Sequence, residues 1–353
     1  MTTLPSVEEI LLLCERFSDV QSDPDGSPCA VTQGGDDAPE NMDFQDPSCS
    51  GGDRDADALD RLMAMKGLEN VKEAVSTQIS YAAIMRKRSA IGLRTVPRMM
   101  HMIMTGNPGT GKTTVARLIG EIFHDKGLLS TGNFVEAPRA RLVGRYIGET
   151  EANTLAAIEE AGGGVLFIDE MYSLTAEQAS GESGSRDFGI KVIDVLMPVL
   201  SDPYSDIMVI GCGYYREMRS FLKANPGLAS RFPIVLDFKD LSQEDLVGIV
   251  SDRLAEYDFN VDGKAMEAIL SLVAKAVKVS NFGNGRFAVT LVDDFIIPRV
   301  CRRVYQSEGF DGMSGAEIQD LCVVTEDDVP ALEEVFPLEN IGKSRIGFQQ
   351  RMS

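Results

Sequence analysis

From Ala58 onward the hydrophobic positions switch between two patterns. Short continuous apolar runs at Met99–Met104, Val165–Ile168, Ile207–Ile210 and Ile234–Leu236 are separated by stretches whose apolar residues recur every three or four positions. Runs without polar alternation predict strands buried on both faces, and the helical stretches between them predict crossovers that cover those faces. The predicted helices are Leu59–Met65, one from Gly67 to about Ile91, one from Thr114 to about Lys126, and Glu149–Ala161; a short strand at Asn133–Ala137 completes the set. The expected fold class is α/β, a five-stranded parallel sheet flanked by helices. After Leu241 the strands stop. Ser242–Tyr257, Gly263–Val277, Ala288–Ser307 and Thr325–Val335 keep helical spacing, which predicts a small C-terminal helical bundle. The expected division is an N-terminal extension over 1–57, an α/β domain over 58–240, the bundle over 241–338 and a tail over 339–353.

The extension breaks the pattern. Val7–Phe17 has helical apolar spacing, but Gln21–Asp57 is rich in Asp, Gly, Pro and Ser and reads as an acidic linker. Fourteen acids from Glu8 to Asp57 face only Arg16 and Arg54, so much of the net charge of −20 is local. An isoelectric point near 4.6 argues against a nucleic-acid partner. The six cysteines (14, 29, 49, 212, 301 and 322) show neither metal-ligand spacing nor a disulfide framework. The two histidines, His101 and His124, read as structural, which leaves little room for histidine-based catalysis. No apolar stretch is long enough for a bilayer and no leader pattern opens the chain, so no membrane and a reducing cytoplasm are expected.

Chemistry concentrates where the first strand meets the following helix. Gly106-Asn107-Pro108-Gly109-Thr110-Gly111-Lys112-Thr113, followed by Thr114, is the G-x-x-x-x-G-K-[ST] phosphate loop in its required strand–loop–helix setting. Its glycines let backbone N–H groups surround a phosphate, and the next helix presents its positive N-terminus to the same anion. Lys112 can reach the outer phosphates of a nucleotide, and the Thr113 hydroxyl can ligate Mg²⁺. Val165-Leu-Phe-Ile-Asp169-Glu170 then supplies a strand ending in two acids, with Asp169 expected on the metal and Glu170 on the attacking water. Two arginines stand out. Arg231, before the last strand, is either a surface residue or a finger that enters a neighbouring subunit's site. Arg286, after the glycine turn at 283–285, can contact the γ-phosphate in cis.

Together these motifs resemble an AAA+ ATPase. Leu142–Gly148, Gly163–Glu170, Gly211-Cys-Gly-Tyr214 with Met218, and Asn225–Phe232 resemble more closely the CbbX/CfxQ group, over about Leu59 to Leu338. That group includes the red-type Rubisco activase, the stage V sporulation protein K type and an ATPase of type VII secretion. The resemblance implies an ATP- and Mg²⁺-dependent homo-hexameric ring that remodels a protein client by pulling a peptide tail through its pore. Gly67 and Leu68 would lie near the adenine, and Tyr146-Ile147-Gly148 would line the pore. On the residues alone, packing of Tyr146 and Ile147 as a core edge segment is the preferred reading. The Ser173–Gly189 connection reads as a flexible loop. This chain departs from the wider pattern at Gly211–Tyr214, where no sensor residue is assigned, at Ala229, and at Arg145. Two other readings compete: a nucleotide-dependent scaffold or switch without threading, and a monomeric small-molecule kinase.

Overall fold

The computed structural model describes residues 57–96, 98–146, 148–180, 188–307, 312, 314–315 and 322–336. The expected N-terminal helix and acidic linker, Ile147 and the C-terminal tail lie outside the described residues. The chain divides into two compact units, one holding residues 76–95 of the described chain, the other holding 57–75 and everything from Val96. Helix α1 is Ala58–Ala64, and α2 (Glu69–Ala90) continues from the second unit into the first. In residues 76–95 the helix ends on Lys87 and Arg88, and Ile84, Ile91 and Leu93 are exposed.

The second unit is built on a five-stranded sheet in the order β2-β3-β4-β1-β5, with every pairing parallel. Its strands are β1 (Met102–Gly106), β2 (Phe134–Glu136), β3 (Val165–Ile168), β4 (Met208–Gly213) and β5 (Ile234–Phe238). β1, β3 and β4 are buried at every position, as their unbroken apolar runs require. Edge strand β5 alternates buried and exposed residues, leaving Val235 outside. Helices α3 (Lys112–Asp125), α4 (Arg139–Leu142), α5 (Glu149–Glu160), α6 (Phe188–Ser201), α7 (Tyr215–Ala224) and α8 (Pro226–Ala229) connect the strands. Ile103, Leu166, Ile168 and Val209 form one core with Leu196, Met218 and Phe221 from the helices.

The structure differs from the sequence expectation in three places. In the connection after β3, expected as a flexible loop, a 3₁₀ segment covers Met171–Ser180 and α6 begins at Phe188. The bundle comprises α9 (Gln243–Glu256), α10 (Gly263–Ala276), α11 (Asn284–Thr290), α12 (Ile297–Tyr305) and α13 (Leu332–Val335). A π-helical turn, Leu291–Ile296, joins α11 to α12; Pro298 has no N–H to give the preceding turn, and the helix widens there. The helix expected over Thr325–Val335 is split into a 3₁₀ turn and α13, with Pro330 between them.

Candidate active site

The phosphate loop leaves the buried end of β1 and closes on α3, whose N-cap is Gly111. Two glycines are steric requirements. A Cβ on Gly106 (φ 153°) would collide with the Phe238 carbonyl of β5, and one on Gly109 (φ 74°) with the Gly283 carbonyl at the turn that opens α11 of the bundle. Lys112 Nζ lies across the loop, donating to the carbonyls of Gly106 at 3.0 Å and Asn107 at 2.6 Å and to Thr110 Oγ1 at 3.4 Å. Burial pushes the Lys112 ammonium below its ordinary range, and the negative charge of Asp169 and Asp240 pulls it back up while Arg286 opposes them. Arg286 thus lies close enough to act electrostatically on Lys112, and its Cβ side abuts Gly109. A glycine-bent loop, a cation and a helix N-terminus fit a polyphosphate.

Across from the loop, β3 delivers its two acids to the surface. Asp169 accepts the Glu170 amide at 2.9 Å, and Glu170 is held at φ 46°, a conformation costly for a side chain of its kind. Strained backbone of this sort is stored where a side chain must be aimed. Asp169 and Thr113 carry hard oxygen atoms of the kind Mg²⁺ takes, and could hold that ion.

Two neighbours went unread in the sequence. Cys212 of β4 pairs with Met104 and is buried; burial and the Asp169 carboxylate, to which the thiol donates, push its pKa far up. It fills the strand end for which no sensor residue was assigned. Tyr172 donates to Glu170, and desolvation together with that carboxylate pushes the phenol upward. Its ring lies 6.0 Å from that of Tyr214. No local sequence signal marks either residue, because their relevance comes from strand register.

Gly67 and Leu68 stand beside the same region. Met65 Cε approaches the Gly111 position, and a Cβ on Gly67 would press on Asp245 and Leu241 of the bundle's first turn. Lys66 is anchored to Asp252 at 2.6 Å. The short 65–68 segment therefore reaches from Gly111 of the loop to α9.

Arg231 is elsewhere. Its Nε donates to Ser201 Oγ at 2.6 Å, and its guanidinium also reaches the Gly227 carbonyl. Parallel register pairs Met102 with Ile234 and Gly106 with Phe238, so Arg231 precedes β5 at the sheet end opposite the phosphate loop. Phe232 confirms the placement, with its ring 6.2 Å from that of His101, just before β1. Four strand steps alone separate the two ends by about 13 Å. Arg231 does not serve its own loop.

Tyr146 is 71 % exposed, which removes the core-edge alternative for that residue; Ile147 lies outside the described residues. Gly148 (φ 90°) is the N-cap of α5, and Glu149 accepts the amides of Arg145 at 2.7 Å and Tyr146 at 3.0 Å.

Residues 102–240 match the model of the ATPase family associated with various cellular activities (AAA), and residues 242–336 match the AAA lid domain. The chain is 38% identical over 244 residues to stage V sporulation protein K of Bacillus subtilis, covering 68% of this chain and 74% of that one. It is 36% identical to CfxQ of Xanthobacter flavus (75% and 80% covered) and 32% identical to the chloroplastic ribulose bisphosphate carboxylase/oxygenase activase of Cyanidioschyzon merolae (76% and 86%). Among solved structures the FIGL-1 AAA domain shares the fold, with a TM-score of 0.52 at 20% identity over 77% of this chain and 81% of that one. A five-stranded parallel sheet with this loop, this acidic strand end and this lid, in a chain so similar to CfxQ, makes the protein an ATP-hydrolysing member of the AAA family, in its CbbX/CfxQ branch.

Proposed function

We propose that the chain works as a cytoplasmic homo-hexameric motor that remodels a protein client by drawing an unstructured tail through a central pore. The observation that carries this reading is Tyr146, a large aromatic held out in solvent on a loop whose backbone is pinned by Glu149. An aromatic so placed can grip a peptide without reading its sequence. The relatives include a protein named as an activase of another enzyme, which favours a protein client over a small substrate.

In this reading the amides of Gly109–Thr113 and Lys112 hold the phosphates of ATP, and Gly67 and Leu68 flank its base. Thr113 and Asp169 would hold Mg²⁺, which supplies positive charge against the phosphate oxygens. Glu170 orients a water and takes its proton as the water oxygen bonds to the γ-phosphorus; the bond to the β,γ-bridging oxygen breaks, releasing ADP and phosphate. Arg286 meets the γ-phosphate from its own subunit. Arg231 meets it from the neighbour, since it lies too far from its own loop. The domain division at 58–240 and 241–338 makes the lid the part that moves when phosphate leaves.

The test uses an unfolded model polypeptide such as casein as client. Wild-type hydrolysis should rise on its addition. Tyr146→Ala should keep basal turnover within about threefold and lose that rise, because the ring contacts nothing in the site. Loss of ATP binding in the variant would instead make Tyr146 structural. A strict monomer by sizing, with and without ATP, would defeat the shared site.

A further inference from the structure

The reading above gives no task to three polar side chains beside the phosphate loop: Asn284, Asp240 and Asn107. Asn284 opens α11 and is 2% exposed. Its backbone sits at φ 50°, a left-handed conformation that asparagine tolerates better than other residues with side chains. Its amide group is fully engaged. Oδ1 accepts the Leu241 amide at 2.9 Å, and Nδ2 donates to Asp240 Oδ1 at 2.9 Å and to the Pro108 carbonyl at 3.3 Å. Asp240 accepts Asn107 Nδ2 at 2.8 and 3.0 Å, and the Gly285 amide donates to the Gly109 carbonyl at 2.9 Å. Three consecutive loop residues are thus tied to the turn that opens α11 within the lid or to the connection leading into the lid.

Where these ties land matters. In a trans peptide the C=O and the following N–H point in opposite directions. The Pro108 carbonyl turned to Asn284 therefore turns the Gly109 amide the other way, and the Gly109 carbonyl turned to Gly285 does the same for the Thr110 amide. We infer that Asn284 is a positioning residue: its side chain fixes the Pro108–Gly109 peptide plane, the adjoining Gly285 amide fixes the Gly109–Thr110 plane, and the pair aims the Gly109 and Thr110 amides at the nucleotide phosphates. It also joins loop and lid mechanically. A lid rotation that pulls Asn284 away rotates those planes, so lid position and nucleotide affinity become one coupled quantity. The inference rests on the nucleotide-site reading and adds to it a residue that touches neither phosphate nor base.

Asn284→Asp tests it with little change in shape. The carboxylate can still accept the Leu241 amide, but it offers an oxygen where Pro108 and Asp240 need a donor. Binding of a fluorescent ADP analogue should weaken about 30-fold and KM for ATP should rise with it, while kcat at saturation stays within about threefold. Adding Asp240→Asn returns a donor to the pair and should recover at least about fivefold of the lost affinity. A purely structural role predicts a lower melting temperature of the nucleotide-free protein with no such rescue, and that result would overturn the inference. So would affinity within about threefold of wild type. If Asn284→Asp does not fold, Asn107→Ala cuts the Asp240 tie at an exposed position, and an unchanged dissociation constant there overturns the inference equally. Wild-type protein that binds no nucleotide would sink the site reading itself, whereas binding that ignores these substitutions sinks only the role of Asn284.

Discussion

The phosphate loop and the Tyr146 loop are built on opposite principles. Around Gly106–Thr113, β5, the lid turn and Lys112 each fix part of the backbone, and a single added Cβ at Gly109 would collide with Gly283. Around Arg145–Gly148 the backbone is tied at its base by Glu149 and, through Gly144, by Thr150 at 3.0 Å, while the aromatic side chain projects freely. Charge stabilisation demands donors fixed to a fraction of an ångström, since preorganisation is where an electrostatic site gains its strength. Gripping an arbitrary peptide demands reach and tolerance. The two loops belong to one chain, and the difference in tethering marks which of them holds still.

That contrast can be broken at several points. Glu170→Gln should lower ATP turnover by about 100-fold or more, read as phosphate release, with nucleotide binding preserved. Turnover within a few fold of wild type would remove Glu170 from the chemistry. Gly109→Ala should weaken nucleotide binding by at least about tenfold by calorimetry, because both φ 74° and the Gly283 carbonyl oppose a methyl group. The same substitution at Gly148, where nothing lies nearby, should cost only the backbone strain and spare binding.

A third prediction touches the sheet and neither loop. His101 accepts the Val209 amide at 3.1 Å, and burial lowers its pKa to about 4 against a smaller opposing pull from the Val199 backbone. The unfolded chain therefore binds the extra proton between pH 6.5 and 4, so stability is full above 6.5 and falls through that window by up to about 3 kcal/mol. Urea titrations across that range should show a slope that His101→Gln removes; equal slopes would discount the histidine. Least disruptive should be Glu149→Gln. Hydrogen exchange at the Arg145 and Tyr146 amides should quicken about fivefold, while basal hydrolysis stays within about threefold. Protection unchanged at those amides would mean that the Tyr146 loop is held by something other than the carboxylate.

Much of this molecule was legible because its chemistry is local in sequence. Apolar runs such as Val165–Ile168 become buried parallel strands, and the spacing from Gly106 to Thr113 is itself the device. What escaped has partners far along the chain. Asn284 binds groups 43 to 176 residues away, and Cys212 meets Asp169 only through β3–β4 register. Helices α6 and α7 were unread for different reasons. α6 is apolar almost throughout and carries Pro198, so it lacks a clear polar face, and α7 offers only Met218 and Phe221 to the core over ten residues. The parallel sheet was foreseen, but its order was not, since strand periodicity carries no information about neighbours.

The sheet end occupied by Arg231 has a consequence for kinetics. Each chain carries Lys112 at one end of β1 and the arginine at the other, so if Arg231 serves a neighbour as proposed, a separate chain holds two incomplete halves of a site. On the reading proposed above, specific activity is then not a constant of the protein. Turnover per chain would climb with total concentration until the subunits associate, and a plot of rate against protein would curve upward at the dilute end before becoming straight. Arg231→Ala protein mixed with Lys112→Ala protein would regain part of the activity that neither has alone, because each could supply the half that the other lacks.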